Sequence, residues 1–163
     1  MTAEWWGDQA ARDLYARFEA GTVTSDEMVA ELPQIWRDRS ERDPLNSTAA
    51  WRAMVEHAGY FKWAPGQPHG RPARRPLLPR RLYRGATSSR RFGMSWTTNP
   101  EIAGSFARHR QPHGEVGQVW VGRFAPSQLL AYLEHEQEYL VAAAGAVVQP
   151  WPPGTSHASS GHR

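Results

Sequence analysis

Arg81-Leu82-Tyr83-Arg84-Gly85, then Gly93-Met94-Ser95-Trp96-Thr97, then Thr98-Asn99-Pro100-Glu101 mark the point where the chain changes character. The first two runs are short, half apolar and bounded by glycine, which reads as two strands. The third is a helix start, with an N-cap, Pro100 at the first position and an early acid in Glu101. Ile102, Ala103, Phe106 and Ala107 then give one helical face up to about His109. Beyond it, Glu115 to Phe124 carries the strongest strand signal of the chain. Leu129–Tyr132, Glu138–Val141 and Ala146–Val148 supply three further short strands.

Upstream the period is helical. Trp6, Ala10, Leu14 and Phe18 recur every four residues and Gly21 sits at the expected stop. Thr24 and Glu27 fit a capping box for a second helix, with Met28, Val29, Leu32, Ile35 and Trp36 as its stripe. Pro33 should kink that helix or split it. A third helix starts near Ser47 and presents Trp51, Met54, Val55 and Ala58. Helices followed by a mostly β region with one helix inside make an α+β fold. The expected organisation is one domain, 1–149: a helical layer over 1–64, an extended Pro/Arg-rich linker over 65–79 and a β-rich core over 80–149. The Pro/Ser/Gly/His-rich tail, 150–163, is expected to be disordered.

The 163 residues include eight Trp, thirteen Pro and no Cys. Without cysteine there is no disulfide scaffold, thiolate metal site or cysteine nucleophile. No apolar run approaches the ~20 residues of a membrane span, and the N-terminus lacks a secretory h-region, so a cytoplasmic protein is expected. The net charge of +3 hides an asymmetry. No acid lies between Glu56 and Glu101, whereas Arg71, Arg74, Arg75, Arg80, Arg81, Arg84, Arg90 and Arg91 fall in one segment. Such a block attracts phosphates, of a nucleic acid or a dinucleotide, or is a solvated Arg-rich linker. The histidines show no metal-ligand spacing beyond His109/His113, which reads as loop.

Three features carry chemistry. On a strand, Glu134, Glu136 and Glu138 of Glu134-His135-Glu136-Gln137-Glu138 would share a face beside the apolar Tyr139-Leu140-Val141. Like charges so close destabilise one another, which points to function for Glu136 and Glu138, the alternative being a solvated hairpin turn that suits Glu134 well and Glu138 less well. Arg84, at a strand end before Gly85, offers a planar fork suited to phosphate or carboxylate. Ser95 and Thr97 share one face of their strand, opposite Trp96.

Taken in order, Tyr83-Arg84-Gly85, Ser95-Trp96-Thr97 and Glu136-Gln137-Glu138 resemble the mono-ADP-ribosyltransferase family of the Arg-Ser-Glu class. The runs Gly93–Thr98 with Ile102-Ala103 and Phe106-Ala107, and Ala125–Ala131, look like its compact bacterial and phage members. The resemblance covers about residues 80 to 149 and leaves the N-terminal helices unaccounted for. It implies a small split-sheet core holding NAD, as substrate, in a cleft. Arg84 and Gly85 would lie at the NAD phosphates, Ser95 and Thr97 would brace the site, and Glu138 would stabilise the oxocarbenium-like state as nicotinamide leaves. Glu136 would contact or deprotonate the acceptor, a macromolecule with protein arginine favoured. Trp96 is placed near the nicotinamide and Phe106 in the core. Only ten residues separate Arg84 from Ser95, so a tight hairpin must replace the helix of larger members. A phage-borne host-modifying enzyme or an intracellular toxin or effector fits better than a secreted toxin. The alternative is a nucleic-acid modifier or binder using the basic 71–91 segment.

Overall fold

Capping and periodicity set the helical layer. A computed structural model describes residues 6–40, 42–109 and 115–152 of the chain. Helix α1 spans Trp6–Glu19, α2 spans Ser25–Asp38 and α3 spans Thr48–Ala58. Thr24 caps α2 by accepting from the Glu27 N–H, and Ser47 caps α3 by accepting from the Ala50 N–H. Gly59, at φ 73°, closes α3 in a conformation costly for other residues. Pro33 does not split α2, which runs unbroken through it. A proline there cannot donate to the carbonyl of Val29. The backbone of Gly70 packs against that carbonyl so closely that a Cβ would come within 2.5 Å of the oxygen. The proline is thus buried under the 65–79 segment, and tertiary packing outweighs its local penalty.

The remainder forms one mixed sheet. Its strands are β1 (Phe61–Trp63), β2 (Arg71–Pro72), β3 (Arg80–Ala86), β4 (Ser95–Thr97), β5 (Gln118–Phe124), β6 (Leu129–Leu133), β7 (Glu138–Val141) and β8 (Val148–Trp151). Helix α4 spans Pro100–Arg108 and is capped by Asn99. The spatial order is β2-β1-β6-β7-β4-β3-β5-β8, with only the β1–β6 pair parallel. The expected split sheet is, in its hydrogen bonding, one continuous sheet of the described strands. Its narrowest joint is β3 to β4, where the partners are the lone pair Tyr83 and Thr97.

Several boundaries differ from the sequence expectation. The 1–64 segment is not purely helical, because β1 lies within it and pairs with β6 of the later half. Three residues are too few for a strand signal, and β1 owes its existence to the neighbour it pairs with. The 65–79 linker contains β2, again a product of pairing, with β1. The 3-10 turn Ser88–Arg90, with no α-helix, fills the gap between β3 and β4. Pro150 and Trp151, expected in the disordered tail, belong to β8, while 153–163 lie outside the described residues. No helix among the described residues is long and apolar enough to cross a membrane.

Alternation along the central strands assigns the two faces. Leu140 packs with Met94, Leu133 and the helical residues Leu32, Trp36, Trp51 and Met54 on one side. Tyr139 and Val141 pack with Leu82, Trp96, Trp120 and Phe124 on the other. Glu138 shares the face of Leu140, so the helical layer covers the face that carries it. Burial of these two clusters supplies the driving force, at ~25 cal/mol per Å² of apolar surface removed from water.

Candidate active site

The site is built where β3, β4 and β7 meet under the end of α2. The register sets Ser95 opposite Leu140 and Thr97 opposite Glu138. Ser95 and Glu138 thus sit diagonally on one face, within side-chain reach. The Ser95 hydroxyl donates to Oε2 of Glu138. A second donor reaches the same oxygen from the helical layer, the indole N–H of Trp36 at 3.3 Å. Glu138 is 5% exposed, yet no donor among the described residues takes its other oxygen. Among the described residues the carboxylate is therefore anchored through one oxygen, Oε2.

Arg84 is tied to the same strand. Its Nη1 donates to the carbonyl of Ser95 at 3.0 Å and its Nε to the carbonyl of Arg90 at 3.0 Å. Gly93 lies beneath the guanidinium, and a Cβ there would sit 2.1 Å from Nη2. Ser95 thus links the two charged groups, its carbonyl accepting from Arg84 and its hydroxyl donating to Glu138. Burial lowers the Arg84 pKa to about 10, with Arg39 and Arg90 pushing the same way and Glu138 opposing them. Burial also raises the Glu138 carboxyl above its ordinary value, against the Ser95 hydrogen bond, the Arg39 and His135 charges and the Trp36 N–H.

Glu134, Glu136 and Glu138 do not line one strand face. Glu134–Glu136 is a 3-10 turn and Gln137 is left-handed at φ 50°, so only Glu138 enters the strand. Turning the chain spares three carboxylates from stacking side by side, the repulsion that made the strand arrangement unfavourable. Glu136 ends on the rim with its side chain 41% exposed, 3.9 Å from His135 Nε2. Thr97 holds this turn, its hydroxyl donating to the Glu136 carbonyl at 2.9 Å while accepting from the Asn99 N–H at 3.1 Å. Thr98 adds a backbone bond to the Gln137 carbonyl at 3.2 Å.

Two expected placements, of Trp96 and Phe106, are corrected, and Gly85 takes a packing role. Trp96 is 1% exposed and stacks edge-on with Phe124, centroids 4.8 Å apart, on the face opposite Glu138. Strand alternation sends it into the core when Ser95 and Thr97 face the site. Gly85 serves the packing of α4 on β3, since a Cβ would lie 2.0 Å from the carbonyl of Ala103. Phe106, expected in the core, is 40% exposed, on the outer side of a short helix whose buried residue is Ala103.

Trp36 and Arg39 were not legible as site residues. Trp36 read as part of an apolar stripe, and the one available signal was that a buried indole N–H needs an acceptor. His135 is a third, its ring edge-on to Trp63 at 5.8 Å. Ligand atoms of His135, Glu136 and Glu138 fall within 4.8 Å of one another, close enough for a cation. Against that use, Oε2 of Glu138 already accepts two hydrogen bonds, and the Arg39 charge acts on both glutamates. His113 of the His109/His113 pair lies outside the described residues. A groove of about 330 Å³ between α1 and α2, lined by Trp6, Arg17, Glu31, Ile35 and His69, carries none of the expected residues.

No family model, curated protein or solved structure matches this chain. What the site does must therefore be argued from its own geometry.

Proposed function

We propose that the chain is a mono-ADP-ribosyltransferase that moves ADP-ribose from NAD to a macromolecular acceptor, protein arginine being favoured. The observation that carries this reading is the link Arg84–Ser95–Glu138, in which one serine holds a guanidinium and a buried carboxylate side by side. Burying a carboxylate is costly unless it is fully paired, and among the described residues this one has donors on one oxygen only. In this reading the core is an ADP-ribosyltransferase-like sheet, and the narrow β3–β4 joint opens the NAD cleft.

The chemistry needs few groups. Arg84 meets the NAD phosphates with its unused guanidinium edge. As the bond between nicotinamide and the ribose anomeric carbon breaks, the electron pair leaves with nicotinamide and positive charge grows on the ribose. The Glu138 carboxylate, desolvated and fixed beforehand, stabilises that charge. Glu136, on the rim, accepts a proton from the incoming nucleophile. When water takes the acceptor's place the outcome is NAD hydrolysis.

One observation favours a nucleic acid as the alternative acceptor or partner. Arg71, Arg74, Arg75, Arg80 and Arg81 are all exposed. Incubating the protein and labelled NAD with a cell lysate tests both readings. Label on protein supports the first and label on RNA or DNA the second. Absence of nicotinamide release from the wild type would refute the enzyme altogether.

A further inference from the structure

We propose that Arg39 is a second phosphate-binding residue of this site, facing Arg84 across Glu138 so that the two guanidiniums grip a pyrophosphate from opposite sides. The inference rests on the NAD-binding reading and extends it, because it makes the N-terminal layer part of the binding site.

The geometry is specific to the end of α2. The Arg39 guanidinium carbon lies over the Trp36 indole, 3.4 Å from the ring centroid, and 6.0 Å from that of Trp51. Its Nη1 donates to the Trp36 carbonyl. This contact and hydrogen bond hold in place a group that carries five N–H donors, of which one is spent among the described residues. Trp36 is the residue that anchors Glu138, so Arg39 is held one ring's thickness from the carboxylate's own support.

Neither Arg39 nor Arg84 is ion-paired with a carboxylate among the described residues. The other acids around Arg39 are already engaged. Asp8 accepts from the backbone N–H of Ser40 at 2.7 Å and from its hydroxyl at 2.5 Å. Asp43 accepts from the Trp51 indole at 2.8 Å and from the N–H groups of Leu45 and Ser47 at 3.0 Å. Glu136 points its partly exposed carboxylate at His135. Burial lowers the pKa of both guanidiniums, with the Glu138 charge opposing it in each and the Arg39 charge lowering that of Arg84 further. Two half-buried cations, neither directly ion-paired among the described residues, one from the sheet and one from the end of α2, fit a ligand with two adjacent anionic groups. Orthophosphate could satisfy one fork; a pyrophosphate bridge spans both.

Calorimetric titration with inorganic pyrophosphate, ADP-ribose and nicotinamide riboside tests this. Arg39→Gln should weaken pyrophosphate and ADP-ribose by about 10- to 100-fold, and Arg39→Lys by less, since it keeps the charge and loses the fork. Nicotinamide riboside, which has no phosphate, should bind both variants as it binds wild type. Unchanged pyrophosphate and ADP-ribose affinity in Arg39→Gln would overturn the proposal. Because Arg39 also packs on Trp36, the wild-type protein provides a check that needs no substitution. Pyrophosphate should protect Arg39 from phenylglyoxal, read by peptide mass spectrometry, and full modification at saturating pyrophosphate would likewise overturn it. The two readings fail separately. Pyrophosphate binding that depends on Arg39 without NAD turnover refutes the enzyme alone, and NAD turnover indifferent to Arg39 refutes only the second cation.

Discussion

The indole N–H of Trp36 and the Ser95 hydroxyl converge on one oxygen of Glu138, from a helix and a strand that lie far apart in the chain. A carboxylate held in this way has its orientation set before any ligand arrives. Because the second donor comes from α2, the helical layer is part of the site's architecture as well as its cover.

Glu138→Gln should abolish nicotinamide release while leaving the fold intact. Loss of a preorganised charge opposite a developing cation costs on the order of 10²–10⁴ in rate. Comparable release by mutant and wild type, followed by chromatography, would remove Glu138 from catalysis.

The same variant tests stability. The folded-state pKa of Glu138 is raised, so between the ordinary carboxyl value and the raised one the folded state binds more protons than the unfolded. Stability is then highest below the ordinary value, ~4.3, and falls as pH rises through the folded pKa. Glu138→Gln should melt higher than wild type at pH 8, and the gap should close below about pH 4. Since the reaction requires the ionised form, wild-type turnover should rise with pH through a midpoint above the usual carboxyl range.

Trp36→Phe keeps the ring and deletes the N–H. One donor to a buried carboxylate is lost, at a cost of about 1–2 kcal/mol in urea unfolding. The midpoint of the pH–rate profile should move further up, because a hydrogen bond to the charged form has gone. A lower melting temperature with an unmoved midpoint would mean that Trp36 only packs.

Gly93→Ala should mimic Arg84→Lys. The added Cβ would occupy the place of the Arg84 guanidinium, displacing it from the carbonyls of Ser95 and Arg90. Both variants should raise KM for NAD about 10-fold or more, through one or two lost charge-assisted hydrogen bonds. Steady-state kinetics decides, and a normal KM in Gly93→Ala would contradict the placement.

Glu136→Gln should separate the two half-reactions. NAD hydrolysis should persist, because Glu138 and its donors are untouched, whereas transfer of label to the acceptor should fall about 100-fold. Equal loss of both would show that Glu136 acts on NAD itself.

Local signals carried much of this protein. Caps at Thr24, Ser47 and Asn99, apolar stripes and alternating strands are encoded within a few residues, so α1–α4 and most of β3–β7 could be read directly. Arg84, Ser95, Thr97, Glu136 and Glu138 stood out because polar groups beside apolar strands are uncommon without a purpose. Elements that depend on partners could not be read in this way. β1 and β2 exist as strands because β6 offers an edge, and Pro33 stays in a continuous α2 because Gly70 packs over it. The glutamate run turns because the Thr97 hydroxyl and Thr98 hold it. Trp36 and Arg39 reached the site only through the docking of α2 on the Glu138 face. Short-range periodicity, legible in the chain, set which groups were available and turned Ser95 and Thr97 away from Trp96, but it placed Glu136 on a strand that the chain does not form there. Tertiary structure alone decided which helix closed over that face, because side chains a hundred positions apart are brought together by the burial of two apolar surfaces.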